Sequence, residues 1–70
     1  MKYREAACKL KALGCQELER HSPGSHRKWY NPVTDRVAPL PDWGPKDLKV
    51  GTLRAVVRQL GLDWKAFQDA

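Results

Sequence analysis

The stretch His26-Arg27-Lys28-Trp29-Tyr30-Asn31-Pro32 decides the fold, because it predicts a β-strand with one face turned to the core. Successive side chains of a strand point to opposite faces of the sheet. Alternation therefore places Ser25, Arg27 and Trp29 on one face and His26, Lys28 and Tyr30 on the other. Trp29 is the natural core anchor, so His26 is expected to share the open face with Lys28 and Tyr30.

A further strand is expected on each side of this one. Residues 22–25 read Ser-Pro-Gly-Ser, which is turn chemistry, and they join a weakly alternating strand over residues 15–21 with Leu18 as its main apolar anchor. A second turn follows the quoted stretch and leads into a strand over residues 36–40. Because proline has no amide hydrogen for the ladder, Pro39 favours an edge position for that third strand.

Apolar residues at helical spacing predict a helix before and after the three strands. Residues 3–13 and 50–60 each carry one apolar stripe and end at a glycine. Asp63 can cap a short last helix in which Trp64 and Phe67 pack back on the core. Both long helices need the same sheet face, so we expect an α+β fold of order α-β-β-β-α. Its three-stranded antiparallel sheet has helices on one face and leaves the other face open.

Composition limits the size and the partners of this protein. Seventy residues with 41% hydrophobic content predict one small folded domain over residues 1–70. A net charge of +5 indicates a polyanionic partner or an acidic protein. No apolar run is long enough to span a bilayer and the N-terminus has no signal core, so we expect a cytoplasmic protein.

The two cysteines predict no metal site. The spacing of Cys8 and Cys15 fits no zinc motif, and the two histidines are distant in sequence. Free cysteines are usually buried, so we expect both to be small core residues.

His26 is the leading candidate for chemistry. An imidazole has an ordinary pKa of about 6.5 and can give or take a proton near neutral pH. The spacing alone also fits a surface histidine with no role. His21 could face His26 across the turn or be an exposed strand-end residue, and Ser25 could orient His26, touch phosphate or serve only the turn. Gly24 is most simply a turn residue with positive φ.

Lys46, Lys49 and the amides near Gly51 and Thr52 form a candidate phosphate seat. Helix N-termini attract anions, and glycine allows close approach of a ligand to the backbone. Thr52 could instead be only a helix cap, and the lysines could serve only solubility.

The chain resembles the HicA (YcfA-like) toxin family over nearly its whole length. The resemblance is carried by Lys2-Tyr3-Arg4-Glu5, Leu10-Lys11-Ala12-Leu13-Gly14-Cys15, the signature Gly24-Ser25-His26, Leu40-Pro41, Gly44, Lys46, Leu48, Gly51-Thr52-Leu53 and Gln59-Leu60-Gly61. It implies a double-stranded-RNA-binding-domain-like fold, metal-independent cleavage of mRNA and neutralisation by a HicB antitoxin. The family usually has a basic residue and a histidine where this chain has Asp42 and Trp43, a difference that could weaken RNA contact there or substitute stacking for it.

These observations together predict a metal-independent endoribonuclease toxin, an mRNA interferase that needs no cofactor. His26 would be its base or acid, and phosphate contacts would come from Gly24, Ser25, Lys28, Lys46, Lys49, Gly51 and Thr52. mRNA and a HicB-like antitoxin would be its partners. Two other classes stay open: a non-catalytic RNA-binding module, and an interaction protein whose basic face serves only an acidic partner.

Overall fold

The fold was obtained as a computed structural model, which describes residues 1–18 and 26–70. Its elements are α1 (Tyr3–Ala12), β1 (Gln16–Glu17), β2 (His26–Asn31), β3 (Arg36–Pro41), α2 (Val50–Gln59) and α3 (Trp64–Asp69). The predicted α+β fold of order α-β-β-β-α with a last short helix is confirmed. The turn predicted over residues 22–25 and the last part of the strand predicted before it, residues 19–21, lie outside the described residues. No helix of the described ranges is long and apolar enough to cross a membrane.

β2 is the central strand of an antiparallel sheet with the order β1-β2-β3. Trp29 is fully buried and lies opposite Ala38 of β3, which is also fully buried. His26 pairs with Pro41 and Lys28 pairs with Pro39, and the side chains of His26 and Lys28 are exposed. The alternation predicted for this strand is confirmed, as is the edge position expected for β3.

The apolar anchor expected for β1 was wrong. β1 is only two residues long, and Glu17 is paired with Trp29, which sends the Glu17 side chain toward the helices. Leu18 therefore points to the open face of the sheet, where it is 36% exposed, while its amide donates to the Lys28 carbonyl at 2.8 Å. Cys15, which is 3% exposed and precedes the strand, anchors this part of the chain instead.

The expectation that both cysteines are buried was right for Cys15 and wrong for Cys8. Burial raises the pKa of the Cys15 thiol. Cys8 is exposed because α1 turns Ala6, Ala7 and Leu10 into the core, and the next position after Ala7 is rotated away from it by about 100°. Cys8 and Cys15 form no disulfide with each other.

All three helices lie on the same side of the sheet. α1 buries Ala6, Ala7 and Leu10, α2 buries Leu53, Val56 and Val57, and α3 buries Phe67. Asp63 caps α3 as predicted, with its carboxylate accepting from the Ala66 amide at 3.0 Å. α3 contacts both longer helices, so it lies on the helix layer rather than on the sheet.

Asn31 fixes the C-terminal end of α2 to the turn between β2 and β3. Its side chain is 2% exposed, donates to the Leu60 carbonyl at 2.8 Å and accepts from the Val33 amide at 3.0 Å. Thr34 donates to the same carbonyl at 2.8 Å. Gly61 follows with a φ of +73°, and a Cβ there would lie 2.8 Å from the Thr34 methyl carbon, so glycine is required at this contact.

Asn31→Ala should lower the free energy of unfolding by about 1–3 kcal/mol, because it leaves buried polar groups without one partner. Urea unfolding measures the loss. Val33→Ala is the control, because Val33 is 86% exposed and its substitution should change the free energy of unfolding by less than about 0.5 kcal/mol. Equal effects of the two substitutions would contradict the role given to Asn31.

Candidate functional site

The first residue of β2 and the start of α2 lie at the same end of the molecule. α2 packs on β3, and its C-terminal Leu60 carbonyl is bound by Asn31 and Thr34 at the turn where β3 begins. The helix spans ten residues, or about 15 Å, so its N-terminus lies toward the other end of β3. That end is Pro41, the pairing partner of His26.

His26 and Lys28 are both available to a ligand on the open sheet face. Both side chains are exposed, and no hydrogen bond or ion pair between residues of the described ranges uses either of them. Their separation by two positions on one strand puts them on the same face. An imidazole and an ammonium group beside each other can offer proton transfer and charge to one phosphodiester.

The N-terminus of α2 has no side-chain cap. Lys49 is its N-cap residue and makes no capping hydrogen bond, and Thr52 lies three positions later, so Thr52 is not the cap. The first amides of a helix lack intrahelical partners and favour anions. Lys49 and Gly51 are exposed, and a Cβ at Gly51 would meet no atom within 4 Å, so the backbone is open to a ligand.

A cavity of about 400 Å³ lies at the segment that joins β3 to α2. Among the described residues it is lined by Trp43 and Lys46. Trp43 is 37% exposed, and the exposed Lys46 donates its backbone amide to the Trp43 carbonyl at 3.3 Å. This cavity offers a flat ring and a cation next to the strand end that carries His26.

The segment that carries this cavity is bound to the two residues that precede α1. Leu48 is 4% exposed, and its amide donates to the Met1 carbonyl at 2.8 Å. Lys2 forms an isolated antiparallel bridge with Asp47. These contacts fix the chain immediately before the helix start at Lys49.

The family relationship of this chain follows from its sequence. The model of the family described as HicA toxin of bacterial toxin-antitoxin matches residues 3–62. The chain belongs to the HicA toxin family. No curated protein and no solved structure gave a match. The matched range contains His26, Lys46 and Lys49 and ends before α3. HicA membership implies a toxin with an antitoxin partner.

The structure shows what Asp42 and Trp43 do, where the resemblance led us to expect a basic residue and a histidine. The Asp42 carboxylate accepts from Arg27 Nε at 2.9 Å and from the Gly44 amide at 3.1 Å. Asp42 thus binds groups within the protein, and its position offers no cation to a ligand. The Trp43 ring is exposed.

Sequence reasoning missed the network around Arg27. Besides Asp42, this guanidinium binds Glu17 at 3.3 Å and lies 5.6 Å from the centre of the Tyr3 ring. Although desolvation lowers the pKa of Arg27, the charges of Glu17, Tyr3 and Asp42 raise it above its ordinary value. The strand alternation could have signalled this cluster, since it puts Arg27 on the Trp29 face, where a charge needs partners. The network joins α1, β1, β2 and the segment after β3.

Two tyrosines near the sheet are unsuited to act as bases. Burial and the hydrogen bond that Tyr3 donates to Glu17 raise the pKa of Tyr3, and the Trp29 indole donates to its hydroxyl at 3.3 Å. The hydrogen bond that Tyr30 donates to Asp35 at 2.9 Å raises the pKa of Tyr30. Both phenols stay protonated at neutral pH, so neither is a base there.

The structure does not test the roles of three predicted site residues. His21, Gly24 and Ser25 lie outside the described residues, so their roles stay predictions. Within residues 1–18 and 26–70, no three His, Cys, Asp or Glu side chains are grouped so as to hold a metal ion. A chelation experiment is the test of metal dependence.

Proposed function

We propose that this HicA family member is a metal-independent endoribonuclease that cleaves mRNA, with His26 as its base or acid. The observation that carries the proposal is the exposed His26 at the same end of the fold as the uncapped, lysine-flanked N-terminus of α2. A proton-transfer group and a phosphate seat are what the reaction needs. mRNA as the substrate implies action in the cytoplasm.

The reaction is an attack of the RNA 2′-hydroxyl oxygen on the adjacent phosphorus. A base removes the 2′-hydroxyl proton, the bond from phosphorus to the 5′-oxygen breaks, and an acid protonates that oxygen. His26 performs one of these two proton transfers. Its position at the start of β2 leaves the imidazole open to a strand lying across the sheet end.

Cations and amides stabilise the charge that develops on the phosphate. Lys28 lies two positions from His26 on the same face, and Lys46 and Lys49 flank the start of α2. The amides at Gly51 and Thr52 add donors from the first turn of the helix. Gly24 and Ser25, which precede His26 directly, complete the proposed phosphate contacts.

The exposed Trp43 ring gives this chain a stacking surface. An exposed indole can stack on an unpaired base whatever its identity, and such stacking is worth about 1–3 kcal/mol per base. The Trp43–Lys46 cavity therefore suits the nucleotide next to the cleaved bond.

The open sheet face suits the antitoxin. Leu18 and Val37 are 36% and 41% exposed, and the exposed Pro39 pairs with Lys28 of the central strand. A sheet face that combines apolar side chains with a cation fits a protein surface that carries both apolar and acidic residues. A HicB-like antitoxin bound there would cover His26 and repel phosphate from its seat.

His26→Ala should lower the rate of RNA cleavage by about 10²- to 10⁴-fold, the usual contribution of general acid–base catalysis. Folding should be unchanged, because the side chain is exposed. Cleavage of a defined mRNA fragment and circular dichroism measure the two. Gln16→Ala, at another exposed position of the sheet, is the control and should cleave normally.

EDTA should leave the wild-type rate unchanged. If His26→Ala cleaves as fast as the wild type, the catalytic role given to His26 is wrong. If the wild-type protein binds RNA but does not cleave it, the protein is a non-catalytic RNA-binding module. A loss of activity in EDTA that Mg²⁺ restores would show metal catalysis and contradict the proposal.

Lys46→Ala with Lys49→Ala should weaken RNA binding about equally for all sequences. The slope of log affinity against log salt should fall by roughly one unit for each phosphate that the variant no longer neutralises. Fluorescence anisotropy in the His26→Ala background measures this without cleavage. Lys11→Ala with Arg36→Ala is the control, because it removes the same charge. Lys11 is in the last turn of α1 and Arg36 begins β3, at the end of that strand away from Pro41. Equal salt slopes for the two double variants would contradict a phosphate-binding site at the start of α2.

RNA and a HicB-like antitoxin should exclude one another. Lys28→Glu should impair both RNA cleavage and capture of the antitoxin, because both ligands need the cation beside His26. Competition binding measures the first point and pull-down the second. A ternary complex that still cleaves RNA would contradict the proposal that the antitoxin covers His26. A ternary complex without cleavage would show inhibition from a separate surface.

A further inference from the structure

A second cleft lies on the helix layer, away from the open sheet face that carries His26. Its volume is about 440 Å³, and it is lined by Arg54, Val57, Arg58, Gly61, Leu62 and Trp64. Val57 is 2% exposed and forms an apolar floor with the half-buried Leu62. The two arginines form the rim. Trp64 is the one residue of this lining that lies beyond the range matched by the family model, residues 3–62.

Arg54 is held in place at this rim. Its guanidinium carbon lies 5.2 Å from the centre of the Trp64 ring, a cation–π contact. Trp64 is in turn stacked on Phe67, with ring centres 5.6 Å apart and planes 25° apart, and Phe67 is 1% exposed. A guanidinium fixed in this way loses little freedom when it binds an anion.

Arg58 adds a second donor set on the same side of α2. Residues four apart on a helix are neighbours with Cβ atoms about 5–6 Å apart. The ion pairs between described residues involve neither Arg54 nor Arg58. Both residues are exposed and line a cleft with no described carboxylate in its lining, and each guanidinium carries five N–H donors.

We propose that this cleft binds the phosphodiester backbone of an RNA strand outside the cleavage site, with the sugar or base on its apolar floor. Guanidinium groups match phosphate oxygens in a forked geometry. RNA is favoured over an acidic peptide because the same helix carries the proposed phosphate seat at Lys49, about 13 Å along its axis from Arg58. The inference rests on the proposed function in taking RNA as the ligand, and it does not require catalysis by His26.

The test uses the full chain with His26→Ala, so that RNA is bound and not cut. Arg54→Gln with Arg58→Gln should weaken binding of a defined RNA and lower the salt slope by roughly one unit for each phosphate that is left without its arginine. Lys11→Gln with Arg36→Gln removes equal charge elsewhere and should retain the slope of the parent. The Lys46 and Lys49 double variant is measured in parallel.

A second measurement avoids any change to the cleft. Bound RNA should protect Arg54 and Arg58 from phenylglyoxal, read by mass spectrometry, while Arg36 stays reactive. This inference would be overturned, and the proposed function would stand, if only the Lys46 and Lys49 variant lost RNA affinity and bound RNA did not protect Arg54 and Arg58 from phenylglyoxal. No effect of either variant would overturn RNA binding by α2 as a whole. Retained RNA affinity with impaired antitoxin capture would assign the cleft to the protein partner and overturn the inference.

Discussion

The burial of Trp29 is the constraint on which the rest of the structure depends. The ring is fully buried at the middle of the central strand, opposite Ala38, and its indole is bonded to Tyr3 of α1. Because side chains alternate along a strand, a slip of one residue would expose Trp29 and bury His26 and Lys28. Burying one large aromatic ring therefore orients the candidate catalytic group toward solvent. The same strand carries Asn31, which holds the end of α2.

α2 connects the two ligand surfaces that we propose. Its C-terminal end is fixed by the buried Asn31 and by Thr34, and the segment before it is fixed by Leu48 on the N-terminal backbone. The helix is thus held at both ends, with its free amides directed to the sheet end where His26 lies. Arg27 of β2 stabilises the same arrangement. Its guanidinium binds Glu17 of β1 and Asp42 after β3, and it lies over the Tyr3 ring of α1.

The sequence predicted most of the fold because its periodicities are clear, and it failed where a partner strand decides the outcome. Two-residue alternation gave β2 its faces, and helical spacing gave α1 and α2 their buried stripes. Leu18 was misplaced because the pairing of Glu17 with Trp29 depends on register, which a two-residue strand does not reveal. The Arg27 network was missed for the same reason, as its carboxylates come from distant positions. The roles of His26, Lys28, Lys46 and Lys49 stay predictions, and those of Gly24 and Ser25 lie outside the described residues.

The chemistry of the cut ends tests the central claim most directly. If His26 assists attack by the 2′-hydroxyl, the upstream fragment must end in a 2′,3′-cyclic phosphate and the downstream fragment must begin with a 5′-hydroxyl. Mass spectrometry of the products of a short RNA, cut by the wild-type protein, distinguishes these ends. A 2′-deoxy sugar at the cleaved position should abolish the cut. Fragments with 5′-phosphate ends, or cleavage at the deoxy position, would contradict the account.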